Sequence, residues 1–161
     1  MMGSRFIVAG LLLGIGLGGF VDGIVLHQIL QWHHMLTSEG CCSATSVGGL
    51  EDNTLADGLF HAATWICVAA GLYLLWGEMA PGRPWSGRQL VGLLLVGWGA
   101  FNLVEGVIDH HLLGVHHVRS GDNETLYDLA FLGLGALLVG AGLLLARRPG
   151  LRPAAGRRDP A

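Results

Sequence analysis

The chain contains no lysine, and its nine basic residues are all Arg. Charged residues of both signs make up only 13% of it, against about 25% in a soluble domain. Apolar residues make up 52% and come in long blocks. That excludes a disordered chain and argues against an ordinary soluble globule. The few Arg residues form no basic patch, so no nucleic-acid partner is expected. The three cysteines, Cys41, Cys42 and Cys67, are too few for a disulfide framework. The vicinal pair in an outer loop offers at most a redox or soft-metal contact, and Cys67 reads as packing. HExxH, CxxCH and GxGxxG are all missing. What is abundant is glycine, with 27 residues, and histidine, with 8.

A helix needs about 20 mostly apolar residues to cross a bilayer. Four segments meet this: about Phe6 to Leu30, Leu59 to Trp76, Leu90 to Leu113 and Leu126 to Ala146. The first runs on through FVDGIVLHQIL with no small-x-small cleavage site, so it reads as a span rather than a signal peptide. With four spans, both termini and the middle loop share one side. That side carries every Arg except Arg119, which orients both termini to the cytoplasm. The expected architecture is an all-α membrane protein, a four-helix transmembrane bundle of two tandem, parallel-repeat helical hairpins. The membrane domain covers 1–146, with repeat one at 6–76 and repeat two at 90–146. A disordered cytoplasmic tail covers 147–161, where Arg and Pro can touch anionic lipid.

The tandem reading rests on an internal match. FVDGIVLHQILQWHHM (Phe20 to Met35) aligns without gaps on LVEGVIDHHLLGVHHV (Leu103 to Val118) at an offset of 83 residues. Asp22 falls on Glu105, His27 on His110, His33 on His116 and His34 on His117. EDNTLADGLF (Glu51 to Phe60) then resembles GDNETLYDLAF (Gly121 to Phe131), placing Asp57 on Asp128. Two spans per unit give both units the same orientation, related by a pseudo-twofold axis along the membrane normal. Glycines four apart, such as Gly10, Gly14 and Gly18, and further ones in the third and fourth spans make smooth stripes for close packing.

Asp22 and Glu105 lie deep in their spans, where an ionised carboxylate costs several kcal/mol unless it finds a partner. At 3.6 residues per turn, His27 is about 140° around the helix from Asp22, a poor shared face. His27 and His34, like His110 and His117, return to one face. Gly114 is placed to end the third helix and let His116 and His117 fold back. Asp57 and His61, four apart, can meet directly. Imidazole with carboxylate suits a transition metal: zinc, copper or iron. The candidate ligands are His27, His34, His61, His110 and His117. Asp22 and Glu105 are the candidate catalytic acids, as ligands, orienters or proton acceptors. If the protein is an enzyme, the chemistry expected is metal-assisted oxidation or hydrolysis near the outer face. Three other readings stay open: proton or ion conduction through the acid and His cluster, a bis-His haem between His27 and His110, and a structural polar core. Conduction would use the bundle interior or a homodimer; the one partner required in every case is the lipid bilayer.

FVDGIVLHQILQWHHM, DNTLADGLFHAATW and NLVEGVIDHHLLGVHHVR resemble a bacterial family of multi-pass membrane proteins, domain of unknown function 2243. The resemblance runs from about Gly14 to Leu145. It implies four spans in the bacterial inner membrane and supplies no activity.

Overall fold

Four long apolar helices form the protein, with no strand among the described residues. The computed structural model describes residues 3–38, 42–79 and 86–147. Cys41, the connection at 80–85 and the expected tail from 148 onward lie outside the described residues. Helix α1 (Ser4–Val21) continues without a break into a π-helical segment, Asp22–Ile29. Helix α2 is Val47–Glu78, and α3 (Gly87–Glu105) continues into a second π-helical segment, Gly106–Leu113. Helix α4 is Glu124–Ala146.

Helix α2 begins twelve residues before the apolar run at Leu59. Its first turns are polar, so hydropathy does not register them. Ser46 starts the helix by accepting from the Gly49 amide at 3.1 Å, the expected work of an N-cap serine. Ser86 caps α3 in the same way. Gly114 ends the second π-helical segment in the left-handed conformation, φ 62°. Gln31, which matches Gly114 in the repeat, has φ 50°. Both units therefore make the same backbone turn, although only one has the residue that adopts it freely.

Helices α1 and α3 form the centre, with α2 packed on α1 and α4 packed on α3. Among the described residues, the backbones of α1 and α4 and of α2 and α3 stay apart, and the Phe60 ring of α2 meets the Phe101 ring of α3 at 6.0 Å. Glycines set the central crossing. A Cβ built on Gly14 would fall against the Leu94 carbonyl oxygen, and one on Gly97 against that of Leu11. These two contacts exchange under the 83-residue offset. The flanking contacts recur as well: Gly16 lies against Thr64 and Val68, and Gly99 against the matching Gly135 and Val139. Gly71 meets Ala9 and Leu13, as Gly142 meets Gly92 and Val96. By contrast, Gly133 and Gly140 meet nothing.

The two classes of glycine should separate in stability measurements. Gly14→Leu or Gly97→Leu must push α1 from α3 and should cost about 1–3 kcal/mol or more. Gly140→Leu should leave detergent melting unchanged. Equal melting of all three variants would show that the central crossing is not set by these glycines.

Candidate metal centre

Six polar side chains meet where α1 and α3 turn π-helical. They form two buried groups, Asp22 with His27 and His33, and Glu105 with His110 and His116. In each group the ligand atoms lie within 4.8 Å of one another. The groups match residue for residue in the repeat, and both are capable of coordinating a metal ion. All six side chains are at most 5% exposed.

The π-helical backbone brings each acid to its histidine. Its hydrogen bonds run from residue i to i+5, so residues five apart stand over one another. His27 Nε2 lies 3.1 Å from Asp22 Oδ2. The 140° separation expected from an α-helix is therefore corrected: the helix is wider at this point. After the π segments the chain folds back, which carries His33 and His116 inward. Their rings stack at 4.7 Å with 7° between planes. His27 lies 4.4 Å from His33, and His110 lies 4.9 Å from His116, centroid to centroid.

Three of the four rings are hydrogen-bonded through Nδ1, and the fourth, His110, has Nδ1 near a carboxylate without a hydrogen bond. His27 Nδ1 bonds Asp57 at 2.9 Å, and His110 Nδ1 stands 3.4 Å from Asp128. His33 Nδ1 donates to the Val118 carbonyl at 2.8 Å, and His116 Nδ1 to that of Met35 at 3.3 Å. Val118 and Met35 match in the repeat, so these last two bonds cross between units. A carbonyl only accepts, so His33 and His116 carry their proton on Nδ1 and present a lone pair at Nε2. The Nε2 atoms of all four rings, His110 Nδ1, Asp22 Oδ2 and both Glu105 oxygens are buried without a hydrogen-bond partner. Buried polar atoms are normally paired. Apart from His110 Nδ1, the unpaired atoms of these six residues converge, and they are those a metal would use.

Asp57 and Asp128 organise the periphery. Asp57 accepts from His34 Nδ1 at 2.7 Å and from the Met35 amide at 3.0 Å. Asp128 repeats this with His117 at 2.7 Å and the Val118 amide at 3.0 Å. Of the residues singled out from sequence, Asp22, His27, Glu105 and His110 are brought together. His34 and His117 lie outside the two groups, turned to Asp57 and Asp128. His61 also lies outside, with Nδ1 bonded to the Asp57 carbonyl at 2.8 Å. His33 and His116 were not among the ligands chosen; their match in the repeat was the signal available. Asp57 and Asp128 were visible as a matched pair, and Asp57 also as a neighbour of His61, which bonds its backbone carbonyl rather than its carboxylate.

His33 and His116 lie beyond the membrane-spanning helices. Burial, the largest cause, pushes the His33 imidazole down to about 4. Burial and then the neighbouring His33, His110 and His27 rings push His116 down to about 2. Both are therefore neutral when folded and take up protons on unfolding below pH ~6.5. The stability they allow is complete above that value and falls as pH drops toward 4, by roughly 1 kcal/mol per pH unit for each ring. Melting of metal-free protein should thus decline from pH 7 to 5, and the double variant His33→Phe/His116→Phe should flatten the decline. An unchanged slope in that variant would assign the acid sensitivity elsewhere. Neither a curated protein nor a solved structure matches the chain. A family model described as a predicted membrane protein, DUF2243, matches residues 9–149. That is most of the chain, and it covers every residue of both groups: the protein belongs to the DUF2243 family of multi-pass membrane proteins.

Proposed function

We propose that this is a membrane-embedded transition-metal-binding protein whose two matched His/carboxylate groups form one two-part centre. The convergence of unpartnered Nε2 and carboxylate atoms, with three of the four rings anchored through Nδ1, carries this reading. His27, His33 and Asp22 would hold one ion, and His110, His116 and Glu105 a second. His27 and His110 keep the ligand role expected from sequence. His33 and His116 take the places that expectation gave to His34 and His117, which instead help to fix the anchoring carboxylates. The donor set of imidazole and carboxylate suits zinc, copper or iron. Such a metal would supply Lewis-acid or redox chemistry. Asp22 and Glu105 would be ligands or proton acceptors in a metal-dependent oxidation or hydrolysis.

In this reading the chain is two tandem hairpins about a pseudo-twofold axis, with termini in the cytoplasm and the centre near the outer face of a bacterial cytoplasmic membrane. The repeated glycine contacts and the charge asymmetry support it. A green fluorescent protein fused to the C-terminus should fluoresce, and alkaline phosphatase fused after Ser120 should be active. The opposite pair of results would invert the topology.

Element analysis of detergent-purified protein, prepared without a His tag or nickel column, tests the centre. One to two equivalents of one transition metal are expected (on the order of one per group). His27→Ala or His110→Ala should remove it, and His61→Ala should not. Asp57→Asn should weaken binding by about 10–100-fold, because it releases the His27 ring. Protein that stays metal-free after reconstitution with zinc, copper and iron would overturn the reading and leave a structural polar core or proton conduction.

A further inference from the structure

On their flanks the two groups border lateral cavities of about 280 and 260 Å³, through Asp22 in one and Glu105 in the other. Toward the loops they are closed, with His33 and His116 only 2% and 0% exposed. That closure is built crosswise. The Ser38 amide donates to the Val115 carbonyl at 3.0 Å, and the Ser120 amide to the Trp32 carbonyl at 3.5 Å. Each loop therefore rests on the loop of the other unit.

The crossing reaches the centre through two loop residues, Met35 and Val118. The Val118 amide donates to Asp128 at 3.0 Å, and the Val118 carbonyl accepts from His33 at 2.8 Å. Asp128 and Val118 belong to the second unit, His33 to the first. The Met35 amide donates to Asp57 at 3.0 Å, and its carbonyl accepts from His116 at 3.3 Å. Each loop residue thus links a carboxylate of its own unit to a histidine of the other. Only its φ and ψ lie between the two bonds, because the peptide units themselves are rigid. Asp128, Val118 and His33 are all buried, where a lost hydrogen bond is not replaced by solvent.

The two carboxylates differ in what else they hold. Asp57 also bonds His27, in its own unit, at 2.9 Å. Asp128 makes no hydrogen bond to His110, whose Nδ1 stands 3.4 Å away. Its bonds go to His117 and to the Val118 amide. The metal-capable ring that Asp128 reaches through an unbroken run of hydrogen bonds is therefore His33, in the opposite group. We propose that Asp128 is a positioning residue for that opposite group: by holding Val118 it aims the His33 Nε2 lone pair at an ion shared with Asp22 and His27. This role rests on the two-part metal reading and adds to it that the first ion position is set by a carboxylate of the second unit. In a self-contained half-site Asp128 would serve only its neighbours His110 and His117.

The test uses the full-length protein in lipid nanodiscs, labelled with ¹⁵N-histidine and stripped with chelator. NMR reads the exchange of each ring Nδ1–H with water, and the His33 signal is assigned by its loss in His33→Phe. Asp128→Ala should speed exchange at His33 about tenfold, the loss of one buried hydrogen bond, and leave His116 unchanged. Asp128→Asn keeps an oxygen for the Val118 amide and should restore slow exchange. In the reverse direction, His33→Phe takes the donor from the Val118 carbonyl. It should speed exchange at His117, in the other unit, more than at the adjacent His34, and this arm decides if Asp128→Ala does not fold. Zinc titrated against a chromophoric chelator should bind about 10–100-fold more weakly to Asp128→Ala, with most of the loss recovered in Asp128→Asn. Protein that takes no zinc while His33 still answers Asp128 would sink the metal reading and leave the crossed hold standing. Unchanged His33 exchange in Asp128→Ala would overturn the proposal. So would a stronger response of His34 than of His117 to His33→Phe.

Discussion

Every buried imidazole here has two nitrogens to satisfy and a protein partner in reach for one of them. His27 and His110 lie in the spans, where no bulk water supplies the second partner, so an unpaired polar atom costs several kcal/mol. The described structure hydrogen-bonds the Nδ1 of His27, His33 and His116 to a carboxylate or a carbonyl, sets His110 Nδ1 3.4 Å from Asp128, and leaves each Nε2 facing the centre. The rest of the molecule is arranged around that constraint. The Gly14 and Gly97 crossing brings α1 and α3 close enough for their continuations to face one another. The π-helical turns place each acid over its own histidine. Asp57 and Asp128, on the flanking helices, then hold the rings and the returning loops together.

Duplication explains how so small a chain achieves this. Anchors of one unit reach into the other: His33 bonds the Val118 carbonyl and His116 that of Met35. Neither half could complete its own histidines alone. The loops cross again where the Ser38 amide donates to the Val115 carbonyl at 3.0 Å. The pseudo-symmetry is thus a requirement of the polar centre as well as a trace of its origin. Departures from it mark where the units have separate tasks. Asn102 against Gly19 is one departure, and His61 against Leu132 is another.

The four spans, the repeat and the pairing of Asp22 with Glu105 were legible because hydropathy and the duplicated polar residues carry them directly. What was not legible followed from geometry that residue spacing does not encode. A period of 3.6 separates Asp22 from His27, and nothing in DGIVLHQI announces a wider turn. The same assumption could not choose between His34, seven residues from His27, and His33, eleven from Asp22, since both return to one face if the helix continues. The chain instead turns at Gln31 and Gly114, so the ring that enters the centre is the earlier of each doublet. The polar start of α2 was missed because its buried residues, Asn53 and Asp57, serve the loops and not an apolar core. Asn53 accepts from the Leu36 amide at 3.0 Å and donates to the Cys42 carbonyl at 2.7 Å.

The two acids occupy a place no other residues share. Each belongs to a metal-capable group on its inner side and to the wall of a lateral cavity on its outer side. A carboxylate kept only to pin helices would gain by pairing fully with donors, as Asp57 and Asp128 do. Asp22 and Glu105 are left under-paired at a depth where burial of charge is expensive. Replacing a buried polar cluster by well-packed apolar residues is often neutral or stabilising, so stability alone gives poor grounds for keeping six such side chains. Their cost is offset once a cation fills the centre. The acids thus join two groups capable of coordinating a metal to two lateral cavities in the bundle.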